Sequence, residues 1–371
     1  MNRDVWAEIS HGSILHNLSL IDRLSCHKGV IGVVKSDAYG HGAVEISRLL
    51  LDSGVKRLAV SGIDEGIRLR DAGIASPVLI MEYLRSGDLK EAFQHQLTPT
   101  ANSLEMLNAV DELGKRLGRT LGVELRVDVD TSSMGFHYGQ AGMLCEELAM
   151  LKHVNVGGIY AHIIAAYSGD REETENQLQS VRSFFEVINK AVKGQMDMHL
   201  FSSPGLLMNR RKISEAVRIG TMLYGIQSLQ SQDISEIKPA MTIKSRIVAV
   251  NNYKHYNCCG YGFSGFSGED AVIAVVGAGY RDLPVLSRIA EGSVLICGKR
   301  FKISGETFMN HFLVDITHSS GIGIGTEVVI LGPDGDDNIS AYEMAGKFGL
   351  GVERSEFPCL SGSFIKRVYT D

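Results

Sequence analysis

One lysine of this sequence stands where an amine can be made reactive. Lys35 follows the apolar segment 29–34, and a turn with one tyrosine and two glycines comes directly after it. Partial loss of water at the end of a buried strand favours the neutral form of a lysine amine, the nucleophile that forms a Schiff base with an aldehyde cofactor. A surface lysine that merely ends a strand has the same local sequence, so the rest of the chain must separate the two interpretations.

Other reactive side chains follow apolar segments in the same way. In a barrel of parallel strands, the active site lies at the carboxyl ends of the strands. Applied to the last three apolar segments of the first 220 residues, this rule selects His162, Ser203 and Arg218. Loops after the last two strands of such barrels commonly bind phosphate, and Ser203 and the backbone amides near Gly220 fit that role. A lysine, a phosphate site and an arginine together indicate pyridoxal 5′-phosphate (PLP).

The elements that position these residues alternate regularly over the first two-thirds of the chain. Strands are predicted at 29–35, 57–62, 77–82, 96–99, 122–129, 154–161, 197–202 and 215–219. Amphipathic helices are predicted between them, among others at 42–53, 63–73, 102–117, 140–152 and 172–192. Eight strand–helix pairs over roughly 230 residues are typical of a (β/α)8 barrel. The predicted fold class is α/β, with an N-terminal TIM-like barrel.

The pattern changes near residue 237 to short strands separated by glycine-rich turns. Strands are predicted at 241–251, 271–276, 292–297, 312–316 and 327–331, and a helical pattern returns at 340–348. Such a pattern indicates a C-terminal, mainly antiparallel β domain. We therefore predict a barrel domain at 1–237 and a β domain at 238–371, and the opening strand at 4–9 fits either of them.

Composition and charge restrict the class of protein. The 371 residues carry a net charge of −6 and are 44% hydrophobic and 22% charged, which is ordinary for a soluble globular enzyme and predicts no general attraction to nucleic acid or anionic membranes. The N-terminus lacks the apolar core of a signal peptide, and no apolar run has the length of a membrane span. The six cysteines include no CxxC spacing, which favours incidental thiols in a reducing cytoplasm over a zinc site.

Four segments of the chain resemble the alanine racemases. The segment 34–42 resembles the cofactor-lysine motif of that family, and the segments 58–70, 216–225 and 259–262 are similar to further family motifs. The motifs occur in family order and at family-like separations over nearly the whole chain. The resemblance implies a PLP-dependent amino-acid racemase, most simply one that interconverts L- and D-alanine.

The resemblance also implies a pair of catalytic residues. Lys35 would hold PLP covalently and then act as a base on one face of the substrate, and Tyr261, from the β domain of a second subunit, would act on the opposite face. Racemisation requires this, because one base removes the Cα proton and the other returns a proton from the far side. The arrangement predicts a homodimer with shared active sites. A tyrosine that only packs at an interface is the alternative for Tyr261.

Two further residues support the catalytic phenol by resemblance. His162 and Arg218 would connect to Tyr261 through a chain of hydrogen bonds. Arginine stays protonated in proteins, so a pyridine nitrogen that faces Arg218 remains an unprotonated acceptor, which would favour return of the proton over transamination. A packed core histidine and a salt-bridged barrel arginine are the alternatives for these two residues.

The remaining site residues are predicted to contact the phosphate of the cofactor or the substrate, as the resemblance implies. Tyr39 is predicted to contact the phosphate or to brace the loop of Lys35, and a packed aromatic is its alternative. Ser203 and the amides of Gly220 and Thr221 are the other predicted phosphate ligands. The backbone amide of Met309 would hold the substrate carboxylate, and Tyr280 would narrow the entrance to the pocket.

The sequence departs from the family pattern around the substrate and the phosphate. The arginine that usually follows the fifth strand and binds the substrate carboxylate is absent from 130–139, and His137 is predicted to take part of its role. The usual Asn-Ser after the seventh strand is Ser202-Ser203, and the segment 358–365 lacks the tyrosine that normally touches the phosphate. Two alternatives therefore remain. One is a related enzyme that acts on serine or a larger amino acid, or that catalyses decarboxylation or retro-aldol cleavage, and the other is a non-catalytic PLP-binding protein.

Overall fold

The structure, a computed structural model, describes residues 4–192, 195–208, 216–226, 236–254, 258–259, 264–265, 270–288, 292–347, 350, 354, 356, 359 and 365–371. The chain divides into two compact units. The barrel unit comprises Leu18–Ala38 and Gly42–Gly220, and the β unit comprises Met1–Asn17, Tyr39–His41 and Thr221–Asp371.

The elements are numbered here in chain order. The strands are β1 Val5–Ser10, β2 Val30–Val33, β3 Arg57–Val60, β4 Val78–Ile80, β5 Leu97–Ala101, β6 Leu121–Asp128, β7 Phe136–His137, β8 Val154–Ala161, β9 Asp197–His199, β10 Val217–Ile219, β11 Met241–Tyr253, β12 Cys258–Cys259, β13 Ser264–Gly265, β14 Ala271–Val276, β15 Ser293–Ile296, β16 Lys299–Ser304, β17 Phe312–Asp315, β18 Glu327–Asp334, β19 Asp337–Ile339 and β20 Lys366–Thr370. The helical segments are α1 His11–Leu24, α2 Lys35–Tyr39, α3 Ala43–Asp52, α4 Ile63–Asp71, α5 Leu89–Gln94, α6 Leu104–Leu117, α7 Ala141–Met150, α8 Ala165–Ser168, α9 Arg171–Ala191, α10 Ser203–Met208 and α11 Ala341–Gly346. Short 3₁₀ helices lie at Ser86–Asp88, Tyr138–Gln140, Thr221–Tyr224 and Pro284–Arg288.

The barrel unit is built on eight parallel strands. Their order is β10-β2-β3-β4-β5-β6-β8-β9, and a bridge between Phe201 and Val217 brings the two ends of the sheet together. The strands are almost wholly buried, as a parallel sheet covered by helices requires. The predicted TIM-like barrel is confirmed.

Close packing in the barrel unit depends on glycine at two positions. A Cβ on Gly32 of β2 would lie 2.9 Å from a methyl carbon of Leu50 in α3, and a Cβ on Gly66 of α4 would lie 2.7 Å from one of Leu97 in β5. Both glycines therefore let a helix approach the sheet more closely than any other residue would.

The helices of the barrel unit begin and end at residues suited to those positions. The hydroxyl of Ser103 caps α6 by accepting from the amide of Met106, and Gly118 ends the helix with φ 62°. The carboxylate of Asp170 caps α9 by accepting from the amide of Glu173. Both helices match their predicted ranges to within two residues.

The β unit contains a nine-stranded sheet. Its order is β19-β18-β15-β16-β17-β14-β11-β1-β20, and the 13-residue strand β11 also pairs with β18. The pairings are antiparallel except that between β1 and β20. The mainly antiparallel C-terminal domain is thus confirmed, and the opening strand belongs to its sheet.

Some predicted boundaries are wrong, and some elements lie outside the predicted ranges. The first barrel strand ends at Val33, two residues before the predicted end at Lys35, because left-handed backbone follows the lysine. The edge strand β20 has no buried residue and therefore no apolar alternation that reveals it. Among the described residues, no helix has both the length and the apolar composition needed to cross a membrane.

Candidate active site

The carboxyl ends of the barrel strands carry four of the predicted site residues. Lys35 follows β2, His162 follows β8, Ser203 follows β9, and Arg218 lies within β10. Gly220 comes one residue after β10. These residues therefore lie at the end of the barrel unit where active sites of such barrels are found.

Lys35 begins a turn with unusual backbone geometry, which we call the lysine turn (residues 35–39). Its residues 36–39 all have φ between 52° and 55°, in the left-handed region, and none is glycine. Left-handed backbone costs about 1–2 kcal/mol per L-residue, so the surroundings must hold the turn in place. Two backbone bonds do part of this: the amide of Ala38 donates to the oxygen of Val34 at 2.9 Å, and that of Gly42 to the oxygen of Asp37 at 2.8 Å.

Arg218 is a buried cation with several fixed acceptors. Its Nη1 donates to Nδ1 and to the backbone oxygen of His199, each at 2.9 Å, and its Nη2 donates to the oxygen of Ala161 at 2.9 Å. Burial lowers the pKa of Arg218, but a guanidinium stays charged in proteins. Three acceptors for five N–H groups leave two donors without a partner among the described residues.

His199 is held in one tautomer by its two neighbours. Nδ1 accepts from Arg218, which can only donate, so the ring proton lies on Nε2 and is donated to Oε2 of Glu124 at 2.6 Å. Burial lowers the pKa of His199, which keeps the ring neutral. The ring therefore fixes the position of the Arg218 guanidinium relative to the Glu124 carboxylate.

Glu124 supplies the negative charge of this buried cluster. Burial opposes its ionisation, but the His199 ring and the Arg57 guanidinium outweigh burial, so the pKa of Glu124 lies below its usual value. Arg57 contacts Oε1 of Glu124 and also donates to Asp197 at 3.1 Å. The barrel interior thus holds a line of groups from Arg57 through Glu124 and His199 to Arg218.

Tyr160 packs against this line as a neutral phenol. Its ring stacks on His199 with centroids 5.2 Å apart, and Cζ of Arg218 lies 4.9 Å from its centroid. Its hydroxyl donates to the oxygen of Met81 at 2.8 Å. Burial raises the pKa of Tyr160 to about 12, so this tyrosine is a packing group and not an acid or base at neutral pH.

His162 is also neutral, because burial and nearby positive charges both oppose its protonation. Burial together with the positive charges of Arg218, Arg126 and Lys35 lowers the pKa of His162 to about 3. Its ring lies 5.5 Å from that of Tyr167, measured between centroids. The imidazole can therefore form hydrogen bonds without adding a positive charge beside the guanidiniums of Arg218 and Arg126.

The turn after the fifth barrel strand places His137 on the surface. Nε2 of its ring pairs with Oδ1 of Asp130 at 2.9 Å, and Nδ1 accepts from the amide of Gly139 at 3.1 Å. Both nitrogens are used within the turn. The predicted contact of His137 with a substrate carboxylate stays a prediction.

The other predicted residues belong to the β unit or lie outside the described residues. The backbone brings Tyr280 and Met309 together, since the amide of Tyr280 donates to the oxygen of Phe308 at 3.3 Å and that of Arg281 to the oxygen of Met309 at 3.1 Å. Tyr39 and Thr221 also belong to the β unit. Tyr261 lies outside the described residues.

Sequence reasoning missed the partners that orient Arg218. Glu124 lies inside β6, and the rule of strand ends does not select it. His199 is the last residue of β9, but the strand was predicted to continue to residue 202, so the rule was applied too far along the chain to select it. Their signal is a different one: a charged residue within a buried parallel strand needs a buried partner. Glu124 in β6 is such a residue, and it points to a polar barrel interior.

The donors at the strand ends fit PLP. The hydroxyl of Ser202, after β9, is buried and has no hydrogen-bond partner among the described residues. It lies in the loop where barrels of this kind bind phosphate. Arg218 offers two N–H groups to a further acceptor, and Lys35 offers an amine. No group of side chains among the described residues is suited to hold a metal ion.

Comparison with known proteins gives matches over the whole chain. The family models described as alanine racemase, N-terminal domain, and alanine racemase, C-terminal domain, match residues 9–228 and 240–369. An alanine racemase of Carboxydothermus hydrogenoformans is 32% identical over 94% of this chain and 95% of its own, and one of Methanococcus maripaludis is 29% identical over 100% and 99%.

Solved structures give the same result. The alanine racemase of Clostridium difficile 630 is 28% identical, with a TM-score of 0.89 over 100% of this chain and 96% of its own. The alanine racemase from D-cycloserine-producing Streptomyces lavendulae is 25% identical, with a TM-score of 0.91 over 100% and 98%.

Proposed function

Since the chain belongs to the alanine racemase family, we propose that it interconverts L- and D-alanine with PLP as its cofactor. It is a PLP-dependent enzyme that acts on a small amino acid. The observation that carries the proposal is the place of Lys35 and Arg218 at the carboxyl ends of the first and last barrel strands, in a chain whose two halves both match this family.

The residues proposed to hold the cofactor lie in the segments that follow the barrel strands. Lys35 would bind it covalently, and the residues proposed for its phosphate are Tyr39, Ser203 and the amides of Gly220 and Thr221. The unpartnered hydroxyl of Ser202 supports a phosphate site in the same loop. Bound PLP supplies an electron sink that makes the Cα proton of an attached amino acid acidic.

Lys35 and Tyr261 are proposed as the two bases. The Lys35 amine takes or returns the Cα proton on one face, and the Tyr261 phenol does so on the other. Inversion follows because the proton leaves from one side and arrives from the opposite side. His162, whose pKa lies well below its usual value, is a suitable hydrogen-bond partner for the phenol and for its deprotonated form.

Arg218 is proposed to donate to the ring nitrogen of the cofactor through one of its two remaining N–H groups. A permanently charged donor would keep that nitrogen unprotonated, which would limit the electron sink and favour return of the proton to Cα. The contacts with His199 and Ala161 hold the guanidinium for this role. The amide of Met309 and the side chains of Tyr280 and His137 are proposed to contact the substrate.

The assembly and location of the enzyme are proposals as well. We infer a homodimer in which Tyr261 of the partner subunit completes the site. We infer a cytoplasmic location from the free thiols of Cys145, Cys297 and Cys359, since a reducing compartment leaves such thiols unpaired.

The test is incubation with single enantiomers in D2O. L-alanine should yield D-alanine that carries one deuterium at Cα, with no loss of carbon, and D-alanine should yield the deuterated L-form. Single enantiomers of serine serve as the comparison substrate. Turnover of serine but not of alanine, or release of CO2 or of an aldehyde, would contradict the proposal.

A further inference from the structure

Helix α4 carries a carboxylate that the proposed chemistry does not use. Glu65 lies in the first turn of α4, and its side chain is half-buried. Oε1 accepts from the amide of Ser36 at 2.6 Å, and Oε2 accepts from the amide of Ser61 at 2.7 Å. One side chain thus joins the loop after β2 to the loop after β3.

The first of these bonds lies directly beside the amine-bearing residue. Ser36 follows Lys35 and is the first of the four left-handed residues of the lysine turn. A turn without glycine in this conformation persists only where contacts outside the turn fix it. The bond from Glu65 fixes its first peptide group, and therefore the backbone from which the Lys35 side chain projects.

A second carboxylate holds the other side of the turn. Oδ1 of Asp37 accepts from the amide of Ala43 at 2.9 Å, and Arg68 of α4 approaches the same oxygen at 3.5 Å. Glu65 and Arg68 are three residues apart and share one side of α4. The helix thus contacts the lysine turn at two points.

Only a carboxylate satisfies both amides that Glu65 contacts. Each of its oxygens accepts a hydrogen bond, whereas a glutamine amide offers one accepting oxygen and one donating nitrogen. The position in the first turn of a helix also favours the negative charge. In Glu65→Gln, the side-chain nitrogen would face one of the two amides, and two donors cannot form a hydrogen bond with each other.

We propose that Glu65 is a positioning residue that fixes the lysine turn and so aligns the Lys35 amine for bond formation with the cofactor. The inference rests on the proposed role of Lys35 as the cofactor lysine. It does not depend on which amino acid the enzyme racemises, because its direct effect is on the geometry of the amine.

The experiment compares Glu65→Gln with Asp64→Asn. Asp64 is exposed in the same turn of α4, so its variant removes the same charge from the same helix end without touching the lysine turn. PLP is added to cofactor-stripped protein, the mixture is reduced with borohydride at set times, and the adduct at Lys35 is measured by peptide mapping. Glu65→Gln should form the adduct about ten- to a hundredfold more slowly than Asp64→Asn, the usual effect of a small misplacement of a reacting group.

Hydrogen exchange provides a readout that does not depend on catalysis. The Ser36 amide should lose protection in Glu65→Gln while amides of the barrel strands keep theirs. Equal adduct rates and equal Ser36 protection in the two variants would overturn the proposal. If Glu65→Gln does not fold, Glu65→Asp is measured in the same way. This variant keeps the charge, but its side chain is too short to reach both amides. An adduct rate equal to that of the unaltered protein would then overturn the proposal. Absence of alanine racemisation together with a slow Glu65→Gln adduct would reject the proposed function and leave this inference standing.

Discussion

At the scale of single residues, His199 links a buried anion to a buried cation through one neutral ring. Its Nε2–H points at Glu124 and its Nδ1 lone pair at Arg218. A protonated ring would turn a donor towards the guanidinium and repel it, so the lowered pKa of His199 is a condition for the contact. Glu124 in turn needs Arg57 to stay ionised in the barrel interior.

Replacement of Glu124 by glutamine tests this cluster. It leaves the guanidiniums of Arg57 and Arg218 without their shared negative charge, and loss of one partner of a buried ion pair typically costs about 3–5 kcal/mol of unfolding free energy. Urea denaturation measures the effect. The control is Asp197→Asn, because Asp197 also pairs with Arg57 but its side chain is 60% exposed, and such pairs are worth about 0–1 kcal/mol. Equal losses would contradict the assigned role.

The same cluster predicts a pH dependence of stability. The pKa of Glu124 is lower in the folded protein than its reference value of 4.5. Its stabilising contribution is therefore present above pH 4.5 and is lost as the pH falls through the lower folded-state value. Urea midpoints below pH 4.5 should fall more steeply for the unaltered protein than for Glu124→Gln. Parallel slopes would show that the carboxylate is not ionised in the fold.

His162 should remain neutral through the whole range in which histidines normally titrate. Its pKa of about 3 in the folded protein lies well below the reference value of 6.5. Proton NMR of the holoenzyme between pH 8 and pH 5 should show one imidazole signal, missing from His162→Gln, that does not shift. The urea-unfolded protein is the control, where the same ring should titrate near 6.5. A folded-state midpoint above pH 5 would contradict the prediction.

At the scale of elements, the lysine turn shows what sequence patterns can and cannot predict. The apolar segment before Lys35 and the glycines after it predicted a strand followed by a turn, which is correct. The left-handed backbone of Ser36 and its neighbours was not predictable, because non-glycine residues rarely adopt it. Besides bonds to neighbouring residues, it is held by a contact from α4, almost 30 residues further along the chain.

Replacement of Ser36 by glycine should stabilise the fold. Glycine adopts φ 52° without the Cβ clash, so we expect a gain of about 1 kcal/mol in unfolding free energy. The control is Ser183→Gly, an exposed position inside α9, where glycine should cost about 0.5–1 kcal/mol. Urea denaturation of both variants checks the sign, and loss of stability in Ser36→Gly would show that the turn is not strained.

The barrel strands were the most predictable elements. Their near-continuous apolar runs and regular spacing gave all eight, because burial on both faces leaves a strong pattern. The edge strand β20 shows no such apolar pattern, since it has no buried residue. The residues of the candidate site also differ in how predictable they were. Residues that follow or end a strand, such as His162, follow from topology. Glu124 and His199 meet because β6 and β9 both pair with β8, which lies between them.

At the scale of the whole molecule, the proposed function needs two subunits. Lys35 and Tyr261 are proposed to act on the same substrate from different copies of the chain, as a two-fold dimer with two equivalent shared sites allows. Neither subunit would then hold a complete pair of bases, and activity would belong to the dimer.

Mixing two inactive variants tests this arrangement directly. Lys35→Ala and Tyr261→Phe dimers should each fail to racemise alanine. In a mixed dimer, one site loses both bases, while the other combines Lys35 of one subunit with Tyr261 of the other and is intact. Random exchange makes half of the dimers mixed, each with one working site of two, so about one quarter of the unaltered activity should return. If both bases came from one chain, every site would lack one of them and mixing would restore nothing. Mixing under conditions that prevent subunit exchange is the control.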